Sequence, residues 1–210
     1  MSQKNRLDPI ERGALGLFLV LGLVIALPAP SEGHSDPSLT LALKYVPPDI
    51  DEDDVIDVTG LHTFTLHVKP PIDIRREPER IGVNVEDDDP VAILTTTPTA
   101  DFVEEAIRST LFELGLTHGD DDGLSLETRI QEFYVVESAV YRASVRLRLS
   151  VYRDDAEIWA GLAVGSDTRW GRSLNSENYI EVLSESVRDA LEEAFTDPGF
   201  RSAIRDRHRH

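Results

Sequence analysis

The chain has 210 residues, with 39 acidic against 21 basic side chains, a formal net charge of -18 and no cysteine. That length suits one ordinary domain with accessory segments, and the acidic balance argues against a nucleic-acid partner, since phosphate binding draws on counterions displaced by a basic surface. Without cysteine there is no disulfide, no thiolate metal site, no thiol nucleophile and no lipid-modified cysteine.

In chain order, the first segment is an export signal. Lys4, Arg6 and Arg12 precede an apolar run from Ala14 to Leu27 that ends at Pro28-Ala29-Pro30. The run has the length of a signal-peptide core and falls short of the roughly 20 residues that span the hydrocarbon layer unaided. Its basic flank holds the N-terminal end in the cytoplasm, so that the rest is exported. Cleavage after Ala29, Ser31 or Gly33 would release a periplasmic protein, and an uncleaved segment 14–27 would instead hold it at the membrane. Residues 1–30 are therefore read as signal or anchor, 31–38 (SEGHSDPS) as a linker, 39–200 as the folded domain and 201–210 as a polar tail.

Within the domain, Leu39–Val46 and Leu61–Val68 read as strands, the second with Phe64, Leu66 and Val68 on one face. Ile81–Val85 and Val91–Leu94 read as short edge strands around the acidic turn Glu86–Asp89. The first helix opens with Thr97 as N-cap and Pro98 at the first helical position. It buries Val103, Ala106, Ile107, Thr110, Leu111 and Leu114, and it closes at Gly115 with Leu116 folding back as in a Schellman cap. Leu124–Val136 is a long strand leading into a hairpin. In Tyr141–Val151 the odd positions are apolar or small, while the even ones are Arg142, Ser144, Arg146, Arg148 and Ser150, the pattern of a strand with one buried face. The second arm is expected to place Ile158, Ala160, Leu162 and Val164 on one side. The second helix starts near Asn175 or Ser176 and buries Ile180, Leu183, Val187, Leu191 and Ala194, with Arg188 outside, until Asp197-Pro198-Gly199 stops it. The order predicts an α+β two-layer sandwich, a mostly antiparallel sheet with two amphipathic helices packed on one face.

Few motifs carry chemistry. Placing Gly123 at the sixth position of a calcium loop puts His118 first and Arg129 last, where carboxylates are required. His62 and His67 fall on opposite strand faces, and no metal spacing or cofactor motif appears. The chain lacks a Gly-x-Ser-x-Gly elbow, a phosphate loop and a dinucleotide fingerprint, which points away from an enzyme. The candidate ligand-binding set is Arg142, Arg146 and Arg148 on one strand face with Arg129 on the preceding strand. Guanidinium forks match phosphate and carboxylate oxygens, so an anionic glycan or lipid headgroup is the ligand class, while pairing with the chain's own carboxylates is the plainer alternative. Tyr152, Trp159 and Trp170 are candidates for an aromatic platform or for hairpin packing.

The segments FTLHVKPPIDIR, IGVNV, FVEEAIRSTLFELGL and YRASVRLRLSVYR, with an ending in which Asn178-Tyr179 opens a helix closing on Asp197 to Phe200, resemble the YajG-like family of predicted bacterial envelope lipoproteins over about residues 38–200. The resemblance implies two helices on an antiparallel sheet and an accessory role through an unknown envelope protein or complex. The chain departs from that family in lacking the lipidated cysteine, so release into the periplasm or retention by residues 14–27 replaces the lipid.

Overall fold

The computed structural model describes residues 37–48, 65–119 and 123–205. Its strands are β1 (Ser38–Leu41), β2 (Thr65–Val68), β3 (Ile72–Asp73), β4 (Arg80–Asn84), β5 (Val91–Thr95), β6 (Thr117–His118), β7 (Leu124–Glu137), β8 (Tyr141–Arg153) and β9 (Ala156–Arg169). The helices are α1 (Thr99–Glu113), α2 (Ser176–Thr196) and α3 (Pro198–Arg205). The fold is the α+β arrangement expected, and most of its ladder is antiparallel. β7 pairs with β8, and β8 with β9, over nearly their full lengths.

The other edge of β7 is shared by three short parallel partners laid end to end. β2 pairs at Ser125–Leu126, β3 at Arg129–Ile130 and β4 at Val135–Glu137. β4 then pairs antiparallel with β5, and β5 parallel with β1. β4 and β5 are therefore interior strands rather than the edges expected, because β1 closes the sheet beyond them. The ladder of the first predicted strand ends at Leu41, although Leu43 and Tyr45 remain buried beyond it. Phe64 and the rest of 61–64 lie outside the described residues, as do 1–36, Asp51–Asp54, His62 and Asp120–Asp122; Leu66 and Val68 of β2 are buried.

Each helix end has a specific cause. Pro98, extended at ψ 128°, is itself the N-cap of α1. Thr97 serves the preceding turn instead, its N–H donating to Thr95 Oγ1 at 3.1 Å. At the other end Gly115 turns left-handed at φ 69°, the Leu116 N–H reaches the Leu111 carbonyl, and the Gly115 N–H reaches that of Phe112, which completes the Schellman pattern. Asn175 caps α2 by accepting the Glu177 N–H at 2.8 Å.

Asp197-Pro198-Gly199 ends α2 but also opens α3, because Asp197 Oδ1 accepts the Phe200 N–H at 2.8 Å as a new N-cap and Pro198 suits a first turn. Phe200 and Ile204 of α3 are buried, with Phe200 wedged edge-on against Trp159 and tilted against Phe195. Of the predicted polar tail, residues 201–205 thus belong to α3, and 206–210 lie outside the described residues.

The helices occupy one face of the sheet. Leu126, Ile130, Phe133 and Val135 of β7 and Val145, Leu147, Leu149 and Val151 of β8 meet Val103, Ile107 and Leu111 of α1 and Leu183, Val187 and Leu191 of α2 in a single buried cluster. Arg188, expected outside, is only 7% exposed; it ties α2 to α1 through Glu113 at 2.7 Å and pairs with Glu192 one turn along α2 at 2.6 Å. A guanidinium at this depth is tolerated because two carboxylates compensate it.

β9 runs in the opposite phase to the one expected. Asp154 and Asp155 form the hairpin turn with φ of 49° and 69°, and an irregularity between Val151 and Tyr152 resets the register, pairing Val151 with Trp159, Leu149 with Gly161, Leu147 with Ala163 and Val145 with Gly165. Beyond Trp159 the inward residues are therefore the small ones, and Leu162 and Val164 face solvent at 53% and 42% exposure. At Gly165 no side chain fits because α2 presses on the strand: a Cβ there would sit 1.9 Å from the Ser186 carbonyl oxygen and 2.5 Å from the Ala190 nitrogen. Gly165→Ala is expected to destabilise the fold by about 1–3 kcal/mol, the cost of overpacking against backbone that cannot step aside, read as a lower urea midpoint at unchanged slope.

Candidate functional site

The face of β7, β8 and β9 opposite the helices carries the arginines singled out by sequence. The register sets them in rows across the strands. One row runs Ile72, Arg129, Arg148 and Leu162, and the next runs Glu132, Arg146 and Val164. Arg129 and Arg148 stand directly opposite each other, an arrangement that costs about 0.2–1 kcal/mol when uncompensated. Arg129 is compensated by Glu127 at 3.0 Å, and Arg146 loosely by Glu132 at 3.6 Å. Arg148 has no ion-pair partner among the described residues. Arg142 lies apart, opposite Val136 and four residues from Arg146, about 13 Å along the strand, and its Nη1 approaches only Ser138 Oγ at 3.5 Å.

Three of the four arginines are thus brought together and the fourth marks the far end of the same face. Exposed Ile72, Leu162 and Val164 flank them, so the patch mixes guanidinium groups with aliphatic surface, the composition that protein contact surfaces favour. Arg169 is drawn away into an ion pair with Glu181 on α2.

The aromatic trio does not form a platform. Trp159 turns toward α3, its Nε1–H donating to Asp197 Oδ1 at 3.1 Å. Tyr152 sits under the Lys69 ammonium at 5.0 Å, and Trp170 is 78% exposed beyond the far end of β9. Opposite faces and opposite strand ends separate the three.

The edge of β9 is partly closed. The Val164 N–H donates to Glu193 Oε2 at 2.7 Å and the Ser166 N–H to Asp189 Oδ2 at 3.0 Å, so α2 carboxylates occupy donors that an incoming strand would need. A strand-addition contact through this part of the edge is blocked by the chain itself.

At the far end of β7 lies a buried carboxylate that sequence reasoning passed over. Glu137 is 1% exposed and follows Phe133 and Val135 on the inward side of the strand, which is the one signal that marks it. Tyr179 donates its hydroxyl to Glu137 Oε2, the Leu174 N–H donates to Oε1 at 3.0 Å, and Asn84 stands beside it in the β4 register. Burial alone would raise its pKa, but these bonds and the neighbouring Tyr141 hydroxyl reverse that and hold it below the usual carboxylate range. Tyr141, stacked edge-on against Tyr179, donates to the Arg172 carbonyl and accepts the Asn175 N–H at 3.1 Å. The group pins the turn 172–175, where Leu174 is left-handed at φ 53°, and its bonds are all internal. Its role is structural.

Among the described residues no three His, Asp or Glu side chains gather as a metal site, and no helix is long and apolar enough to cross a membrane. The apolar run 14–27 lies outside those residues.

No protein-family model and no curated protein matches the sequence. Several solved structures are similar in part. A Xanthomonas campestris protein described under the DUF330 family shares 11% identity at a TM-score of 0.49, over 80% of this chain and 95% of that one. A minor lipoprotein from Acinetobacter baumannii shares 9% at 0.38, over 68% and 94%, and a PelC dodecamer from Paraburkholderia phytofirmans shares 11% at 0.35, over 60% and 86%. The structures this chain is similar to thus include a bacterial lipoprotein, and none of those named is a YajG-like protein.

Proposed function

We propose that this is an exported, envelope-associated binding protein without enzymatic activity, which works by contact with another envelope protein through the outer face of β7, β8 and β9. The observation that carries the reading is the patch of Arg129, Arg146 and Arg148 flanked by exposed Ile72, Leu162 and Val164, left open on the side of the sheet that the helices do not occupy. Arginine is enriched in protein interfaces, and apolar side chains beside it add surface that such a contact can bury. Export rests on the signal-like run 14–27, which also provides membrane association if it is not cleaved. A second reading, an anionic glycan or lipid headgroup on the same face, is favoured by Arg148, whose guanidinium has no ion-pair partner among the described residues.

A photo-crosslinking residue at Leu162 of the full chain, activated in intact cells, is expected to yield one discrete protein adduct that disappears with Arg148→Glu, whereas the same residue at the exposed Glu105 of α1 yields none. Equal crosslinking at both positions would defeat the reading. Salt-sensitive binding to anionic vesicles, lost with Arg148→Glu and without any protein adduct at Leu162, would replace it with the second.

A further inference from the structure

The register sets Ser38, Ala92, Val83, Val136, Arg142 and Thr168 in one row across β1, β5, β4, β7, β8 and β9. The chain therefore enters the domain, at Pro37, on the same end of the sheet at which β9 runs out into Trp170. The opposite end, at Leu124 and the Asp154-Asp155 turn, is about 40 Å away at the rise of a strand. Only nine residues, 28–36, separate the apolar run 14–27 from Pro37, and they reach about 35 Å at full extension. In the anchored form of the protein proposed above, on which this inference rests, that tether is too short to bring the opposite end to the membrane. The Trp170 end lies within its reach.

That end displays apolar groups: Trp170, Leu174, Val85 and Val136 are all exposed there. Leu174 also takes φ 53°, a region that a residue with a side chain enters at a cost. The buried network around Glu137 holds it in place. The Leu174 N–H donates to Glu137 Oε1, and the Arg172 carbonyl accepts from the Tyr141 hydroxyl and, at 3.3 Å, from Asn178 Nδ2. Every residue from Trp170 to Leu174 is nevertheless exposed. Bonds inside the fold thus hold an indole and an isobutyl group out in solvent, a display that packing alone does not require. Charge decides what can cover it. Arg142 and Arg172 are exposed at this end, but so are Glu177 and the β4–β5 turn Glu86–Asp89, which lies about 14 Å from β9 across three strands. Carboxylates outnumber guanidinium groups, so an anionic surface would be repelled.

We propose that this end of the domain rests on a zwitterionic lipid surface, with Trp170 and Leu174 seated in the headgroup layer. Tryptophan is enriched at membrane–water interfaces because its ring is apolar and its N–H finds a polar partner there. Leu174 adds apolar area beside it, and Arg142 and Arg172 keep their charged heads among the lipid phosphates while their stems lie along the apolar boundary. Recognition is carried by indole and aliphatic groups rather than by net charge, so it withstands salt. The surface is distinct from the patch of Arg129, Arg146 and Arg148, which lies further along the same strands.

The test uses the two tryptophans of the chain as built-in reporters, since Trp159 lies about 35 Å back along β9 from Trp170. The full chain is reconstituted into phosphatidylcholine vesicles with brominated acyl chains, which quench an indole seated at the interface. Trp159→Phe, which leaves only Trp170, should lose most of its emission relative to unbrominated vesicles and shift to the blue. Trp170→Phe, which leaves only Trp159, should keep both intensity and wavelength, and neither added salt nor Arg148→Glu should alter these results. If Trp159→Phe folds poorly, the difference between the parent and Trp170→Phe spectra isolates the same signal. Full Trp170 emission in brominated vesicles, equal quenching of both tryptophans, or failure of the chain to float with the vesicles overturns the proposal. Quenching that appears only with phosphatidylglycerol and vanishes with salt overturns it in favour of an anionic surface. Unquenched Trp170 leaves the outer-face contact standing, since crosslinking at Leu162 reads that contact independently.

Discussion

Leu147→Asp is expected to prevent folding, with a flat thermal melt by circular dichroism where the parent chain shows a cooperative one. Leu147 is fully buried, paired with Ile130 on β7 and Ala163 on β9, and lies in the layer covered by α1 and α2. A carboxylate there would find neither a cation nor a free donor. The penalty for burying an unpaired charge exceeds about 4–5 kcal/mol and consumes much of the 5–15 kcal/mol that ordinarily separates folded from unfolded domains. Arg148→Asp, one residue along, reverses a charge on the exposed face opposite Arg129 and should keep the parent melting temperature or raise it slightly, since an opposed like pair becomes an opposite one. The contrast between adjacent residues tests the phase of β8, and equal tolerance of both would show the strand to be rotated.

That phase was readable because eleven residues of β8 alternate without a break and the buried positions are large. β9 misleads for the converse reason. Leu162 and Val164 point outward, and the inward positions beyond Trp159 hold Gly161, Ala163 and Gly165: a Cβ at Gly161 would meet the Trp159 ring at 2.5 Å, and one at Gly165 would meet the backbone of α2. Hydropathy scores the size of a side chain, whereas the strand had to satisfy the distance to a helix that begins eleven residues further on. The arginine set was legible as a face through period-two spacing alone. Its pairing was not: whether Arg129 meets Arg148 or a carboxylate depends on the β7–β8 register, which the bulge near Gln131 shifts by one residue.

Glu137→Ala is the second substitution expected to be severe, at about 3–5 kcal/mol, because it removes the acceptor of a buried network and strands the Tyr179 hydroxyl and the Leu174 N–H. Glu137→Gln should cost less, since the amide retains one acceptor oxygen and much of the volume. The two variants also separate packing from charge through pH. The folded pKa of Glu137 lies below its unfolded value, so its contribution is complete above the ordinary glutamate range and is lost as pH falls through the folded value. The parent chain should therefore lose stability from about pH 5 downward more steeply than Glu137→Gln, which has no proton to take up there. At the alkaline end the sign reverses. Burial raises Tyr141 and Tyr179, and it lifts Tyr45 to about 12, so stability present below the ordinary tyrosine value near 10 should decline as pH rises beyond it. Tyr179→Phe should soften that alkaline decline while leaving Glu137 short of one donor, and thereby shift the acid limb of the stability curve to higher pH. Urea midpoints measured across both limbs for the parent, Glu137→Gln and Tyr179→Phe test the network, and acid limbs of equal slope in parent and Glu137→Gln would exclude an ionised carboxylate at this position.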